Sequence, residues 1–280
     1  MYNQTPLEIM KEFSASSFSL SKARIRLDEI YGNFSEFGVQ HLVQETISGV
    51  DCYTTNYKPS KINSVILFVH GGGFSLGSSI GHRHVISRIS ELTQYKIISV
   101  EYSLSPDKKF PSQIHEVESV YQHLLENYGC VYIIGYTAGG NIALSLCQLK
   151  DIILPKKLVL VSPPTNLSFI NSYDNDYSGD WVTHEKLMSL PKNYLVDMLD
   201  IANPMVSPTL NNNLRLPETL LQVGENEILL PSVLEFYNSK KAFNKITLSL
   251  WENMFHGWHN FGLALNSAEN AIKEISEFVS

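Results

Sequence analysis

The sequence predicts an α/β fold built on a mainly parallel sheet of about eight strands with helices on both faces. Three observations lead there. From residue 64 onward, strand-like and helix-like runs alternate along the chain. A glycine-flanked turn, Gly135-Tyr136-Thr137-Ala138-Gly139, joins one such strand to one such helix. The chain has 280 residues, 44% hydrophobic and 18% charged, which is ample material for one large core in a single domain spanning 1–280.

Taken in order, residues 5–34 read as helical, with Leu7, Met10 and Phe13 on one face and then Ile25, Leu27, Ile30 and Tyr31 on another. Runs 39–48 and 50–57 read as a hairpin turning at Gly49, and 64–69 opens the main sheet. Helical 82–92 then precedes strand 96–101, helical 112–128 precedes strand 131–135, and helical 141–149 precedes strand 157–161. The alternation breaks between 166 and 214, where a polar stretch through Tyr173, Tyr177 and Trp181 is too polar for a strand and too weak in period for a long helix, so a loop-rich insertion is expected. Strand 218–223, helix 231–241, strand 246–251 and helix 260–278 complete the chain, without internal repeats.

Two loops carry chemistry. Strand 64–69 ends in His70-Gly71-Gly72-Gly73-Phe74, a stretch of bare backbone whose N–H groups can converge on one oxygen because no Cβ blocks the approach. The turn at Thr137 has the G-x-S-x-G spacing of a nucleophile elbow, with threonine in the central place; Gly135 and Gly139 stand where strand and helix cross too closely for side chains.

With these motifs the chain resembles the hormone-sensitive-lipase-like branch of the α/β-hydrolases. Tyr102-Ser103-Leu104-Ser105-Pro106 stands where that family has Y-R-L-A-P, Phe110-Pro111 where it has F-P, and Ala138-Gly139-Gly140-Asn141 matches its A-G-G-N. Ser162-Pro163, Ser207-Pro208, the run from Gly224 to Leu230 and His256-Gly257-Trp258 follow in the family's order. The resemblance implies an α/β-hydrolase fold in which residues 1–34 and 166–214 form a cap over the carboxyl ends of the strands and help set substrate choice; a solvated surface loop is the alternative for the insertion, and Tyr173, Tyr177 and Trp181 are the residues that distinguish the two. It also implies a carboxylic ester hydrolase for small or short-chain acyl esters, with Thr137 as nucleophile, His256 as base and Glu227 as acid. The backbone N–H groups of Gly72, Gly73 and Ala138 would form the oxyanion hole. No cofactor or metal is expected.

Each role has a competitor. His259 lies three residues beyond His256, and Glu225 one residue past Gly224; the family position ahead of Ile228-Leu229-Leu230 favours Glu227. His70 reads as a brace for the glycine loop or a packed core histidine. His70, His82 and His84 look superficially like metal ligands, but no carboxylate or cysteine stands at ligand spacing. Thr137 itself argues against full activity, because positive φ is unfavourable for a β-branched residue and its methyl crowds the approaching carbonyl. Tyr136 is a second departure, since the family usually has a small polar residue there. The alternative reading is a catalytically silent protein that holds a small molecule in the capped pocket, as one plant hormone receptor of this family does.

A formal net charge of −7 and a pI near 5.7 argue against nucleic-acid or anionic-membrane partners. Cys52, Cys130 and Cys147 have no metal spacing and read as free thiols in a reducing compartment. Without a leader-like N-terminus or an apolar stretch approaching 18 residues, a cytoplasmic location is expected.

Overall fold

The computed structural model describes residues 4–56, 58–169 and 178–280. Eight strands, β1 (Leu42–Ile47), β2 (Val50–Thr55), β3 (Ser64–Val69), β4 (Lys96–Val100), β5 (Cys130–Tyr136), β6 (Lys157–Val161), β7 (Glu218–Gly224) and β8 (Ile246–Trp251), form one sheet in the order β1-β2-β4-β3-β5-β6-β7-β8. The β1/β2 and β2/β4 pairs are antiparallel; every other pair is parallel. The β1–β2 connection is a two-residue turn in which Ser48 (φ 51°) and Gly49 (φ 82°) both take the positive φ that matches strand twist.

The central strands are buried on both faces, which is why β3 reads as a continuous apolar run, Val65-Ile66-Leu67-Phe68-Val69. Side chains alternate between two layers. Val65, Leu67 and Val69 pack with α4 (Ser112–Asn127), α5 (Ala138–Leu146) and α7 (Leu230–Lys240), whereas Ile66 and Phe68 pack with α3 (Arg83–Thr93) and α8 (Asn266–Val279). Each fully buried aliphatic chain contributes roughly 1.5–3 kcal/mol of transfer free energy, so the sheet forms a rigid floor.

The expected helix over 5–34 is two helices, α1 (Pro6–Ala15) and α2 (Leu20–Asn33). The serines around Phe18 break it: Thr5 and Glu8 form a capping box at α1, and Ser19 caps α2 by accepting the Lys22 N–H. Ile25 was assigned to the buried face and is 63% exposed. It precedes Leu27 by two residues, about 200° around the helix, so both cannot face inward. Met10, Phe13, Leu27, Ile30, Tyr31 and Phe34 form a third apolar cluster with Phe255, Trp258 and Phe261. The N-terminal helices are thereby packed against the chain on either side of His256.

Two helix starts differ from the expectation, and one helix was not expected. α5 begins at Ala138, three residues before the expected start, because the turn at Thr137 enters the helix directly. α8 begins at Asn266, since Trp258–Phe261 is a 3-10 turn. The region 166–214 contains a helix, α6 (His184–Tyr194), that polarity had hidden; Thr183 caps it through the Lys186 N–H, and Pro191 sits in its last turn. Tyr173 and Tyr177 lie outside the described residues.

Candidate active site

β5 rises from the middle of the sheet and turns at Thr137 into α5. Thr137 has φ 45° and ψ −112°, outside the allowed regions for a β-branched residue. Its N–H donates to Val161 O at 2.7 Å, tying the turn to β6. The close crossing requires glycine: a Cβ on Gly139 would collide with the Val69 carbonyl oxygen, and one on Gly135 would stand 2.6 Å from Gly140 Cα. The sharp turn thus presents one hydroxyl above the carboxyl ends of the strands.

The glycine loop after β3 lies against that hydroxyl. A Cβ on Gly71 would fall 2.5 Å from Thr137 Oγ1, and the Gly72 N–H donates to Oγ1 at 3.3 Å. Among the described residues, the N–H groups of Gly73 and Ala138 donate to no protein acceptor. For Ala138 this follows from its place as the first residue of α5, where no preceding carbonyl is in reach. Three N–H donors, those of Gly72, Gly73 and Ala138, therefore border one cavity.

Opposite them, His256 Nδ1–H donates to Glu227 Oε2 at 2.7 Å. Glu227 is fully buried, and its other oxygen accepts the Ser162 hydroxyl and the Gly224 N–H, each at 2.7 Å. Burial would lower the His256 pKa, but the hydrogen bond and charge of Glu227, with the Asp180 charge behind it, reverse the direction and hold it above the ordinary value. Thr137, His256 and Gly257 line the same cavity of about 130 Å³. Among the described residues, no hydrogen bond joins Thr137 Oγ1 to His256; the hydroxyl is turned toward Gly72 instead.

The competitors fall elsewhere. His259 is buried on Gln222, its Nε2–H 2.9 Å from Oε1, and burial, then the nearby His256, lower its pKa to about 3. Glu225 is exposed and accepts the Asn253 N–H at 3.2 Å. His70 is buried, stacked on Tyr102 with ring centroids 4.2 Å apart, and donates to Gly71 O at 2.9 Å, while burial lowers its pKa to about 4. His82 donates to Ser78 O, and His84 meets Glu269, where the Arg88 guanidinium already supplies a cation. The three histidines do not converge.

Asp180, from the insertion, was not anticipated. Its Oδ1 accepts the N–H groups of Trp181 (2.8 Å) and His256 (3.0 Å), and its Oδ2 accepts that of Ile228 (3.0 Å). Burial raises its pKa, partly offset by His256 and these backbone donors. Trp181, which was anticipated, donates Nε1–H to His256 O at 2.6 Å. Nothing in the local sequence marks Asp180, because the two partners that tie it to the site are backbone groups 48 and 76 positions along the chain.

Residues 66–260 match the model of a family described as alpha/beta hydrolase fold. The chain belongs to that family. It is 32% identical over 226 residues to an esterase of Acinetobacter venetianus, covering 77% of this chain and 74% of that one. It is 27% identical to an acetyl-hydrolase of Streptomyces hygroscopicus, over 91% of this chain and 88% of that one. Among solved structures, an esterase from the bacterial hormone-sensitive lipase family superposes with a TM-score of 0.90 at 25% identity, covering 99% and 98% of the two chains. Among the described residues of this α/β-hydrolase, no helix is long and apolar enough to cross a membrane.

Proposed function

We propose that this α/β-hydrolase cleaves carboxylic esters of small acyl groups, with Thr137 as nucleophile, His256 as general base and Glu227 as the group that orients it. The observation that carries the reading is the 2.7 Å bond from His256 to a buried Glu227, facing the cavity that also holds Thr137 and the glycine-loop donors. His256 Nε2 takes the Thr137 proton as Oγ1 attacks the ester carbonyl carbon, and the N–H groups of Gly72, Gly73 and Ala138 receive the oxyanion. The imidazolium then protonates the departing alkoxide, and water activated by His256 releases the acid. Burial of Glu227 and the raised His256 pKa both favour the imidazolium formed in the first step. A cavity of about 130 Å³ suits a short acyl chain, being comparable with cavities that hold benzene. The helices before residue 34 and the region 166–214 act as the cap that sets this limit, through Leu27, Tyr31, Trp181 and Leu190 on the cavity wall.

Threonine weakens the chemistry. Oγ1 occupies the Gly72 donor that the oxyanion needs, so attack requires rotation about χ1, which a β-branched side chain at positive φ resists. Thr137→Ser relieves this without touching base or acid, and hydrolysis of short-chain aryl esters rises about tenfold or more, equivalent to ~1.4 kcal/mol of transition-state stabilisation. His256→Ala abolishes it. The same Gly72 contact favours a second reading, a silent binding protein. Inactivity of both the parent and a folded Thr137→Ser variant, with a ligand still bound, would establish that reading instead.

A further inference from the structure

Among the described residues, the side chains on the cavity wall that can carry a positive charge are two histidines, His82 and His256, and one more. Among the described residues that line it, Lys186 is the one lysine or arginine, and no aspartate or glutamate lines it. Lys186 is half-buried on α6, and its Nζ makes no ion pair and no hydrogen bond among the described residues; it lies 5.6 Å from the centre of the Phe13 ring. Its acidic neighbour Glu185 is exposed, and adjacent residues on a helix face different directions. An ammonium drawn part-way out of water beside an aromatic face is under-solvated, and burial lowers its pKa, opposed in part by the charge of the exposed Glu185. Lysine's ordinary value of about 10.4 stands far above neutrality, so the group that meets a ligand is a cation.

Its position relative to the reaction centre is defined by the helix. Leu190, four residues on, presses onto the glycine loop: a Cβ on Gly73 would stand 2.8 Å from Leu190 Cδ2. Residues four apart share a helix face, so Lys186 lies about one turn, four residues or about 6 Å, along the same wall from the point above the oxyanion donors.

We propose that Lys186 fits this pocket to esters that carry a carboxylate, the ester carbonyl on the glycine loop and the carboxylate on Lys186 Nζ, as in the half-ester of a dicarboxylic acid. The inference rests on the hydrolase reading for the carbonyl's place, but the charge preference is measurable without turnover. One helical turn corresponds to roughly four or five carbon–carbon bonds, which selects a six-carbon diacid as the probe.

The test separates binding from chemistry. The full chain is titrated with 6-oxoheptanoate, a ketone that cannot be hydrolysed, and with its neutral amide, 6-oxoheptanamide, by calorimetry and by intrinsic tryptophan fluorescence, to which Trp181 at the pocket contributes. The anion binds about tenfold tighter than the amide, Lys186→Met brings that ratio close to one, and Lys186→Arg retains it. Added salt weakens the anion selectively. In parallel, kcat/KM for monomethyl adipate is compared with that for methyl adipamate, and the same ratio falls in Lys186→Met. Equal binding of the two ketones by the parent, or a ratio unmoved by Lys186→Met, overturns the proposal and leaves Lys186 as a side chain that only packs on Phe13. A charge preference in binding, with no hydrolysis of either ester by the parent or by a folded Thr137→Ser variant, upholds the charge assignment and removes the hydrolase reading.

Discussion

The Asp180 carboxylate holds the backbone of His256 at 3.0 Å, and through its second oxygen holds Ile228, the residue after Glu227, at the same distance. One side chain from the insertion therefore fixes the spacing of the two turns that carry the proposed base and its acid. Asp180→Asn keeps the shape but loses a negative charge beside the imidazole. That charge raises the His256 pKa, so its removal lowers the pKa, and the acidic limb of the kcat/KM profile moves to lower pH. Asp180→Ala takes the acceptor from three backbone N–H groups, those of Trp181, Ile228 and His256, and lowers kcat/KM by about tenfold or more. An unmoved pH profile in the asparagine variant would show that Asp180 acts on the fold alone.

Leu190 closes the space above Gly73, and in the proposed hydrolase this would limit acyl length. Leu190→Ala opens it, and each additional methylene then accommodated is worth about 0.8 kcal/mol. The ratio of kcat/KM for hexanoyl over acetyl esters rises about tenfold, as two newly buried methylenes require. A series of aryl esters of increasing chain length measures this directly.

Asp28 couples stability to pH. It accepts the Ser78 hydroxyl at 2.6 Å, while its other oxygen is buried with no hydrogen-bond partner. Burial, with the charge of Glu101, raises its pKa to about 6 against the pull of Ser78 and Arg83. The folded state thus holds a proton that the unfolded state has already released near pH 4, and stability falls as pH rises from about 4 through about 6, then levels off. Asp28→Asn removes this dependence and raises stability at pH 7 by on the order of 1–2 kcal/mol, read from denaturant midpoints at pH 5 and pH 7.

Gly139→Ala tests the elbow's steric logic. The added methyl would strike the Val69 carbonyl oxygen, which belongs to the sheet and cannot yield. A loss of several kcal/mol in unfolding free energy is expected, whereas Gly49→Ala, with open space around its Cβ position, bears only the cost of positive φ, about 1 kcal/mol.

The mainly parallel sheet and the two glycine loops were legible in the chain because their determinants are local, whereas the strand order came only with the structure. Buried parallel strands must be apolar runs, as 64–69 and 157–161 are, and an elbow or a bare oxyanion loop admits only glycine at set positions. Family order also singled out Thr137, Glu227 and His256, and two of them meet in a hydrogen bond. What the chain alone did not determine is everything that depends on residues far apart in sequence. The hydroxyl of Thr137 turns to Gly72, not His256, because the glycine loop approaches within hydrogen-bonding distance across 65 positions. Asp180 matters because its partners are the amides of 228 and 256, which are the same in any residue but proline and so leave no mark on composition. Helix α6 was hidden because its stability comes from one apolar face laid on the glycine loop, and that packing is what turned an ordinary lysine at 186 into an unpaired cation on the wall of a small apolar cavity.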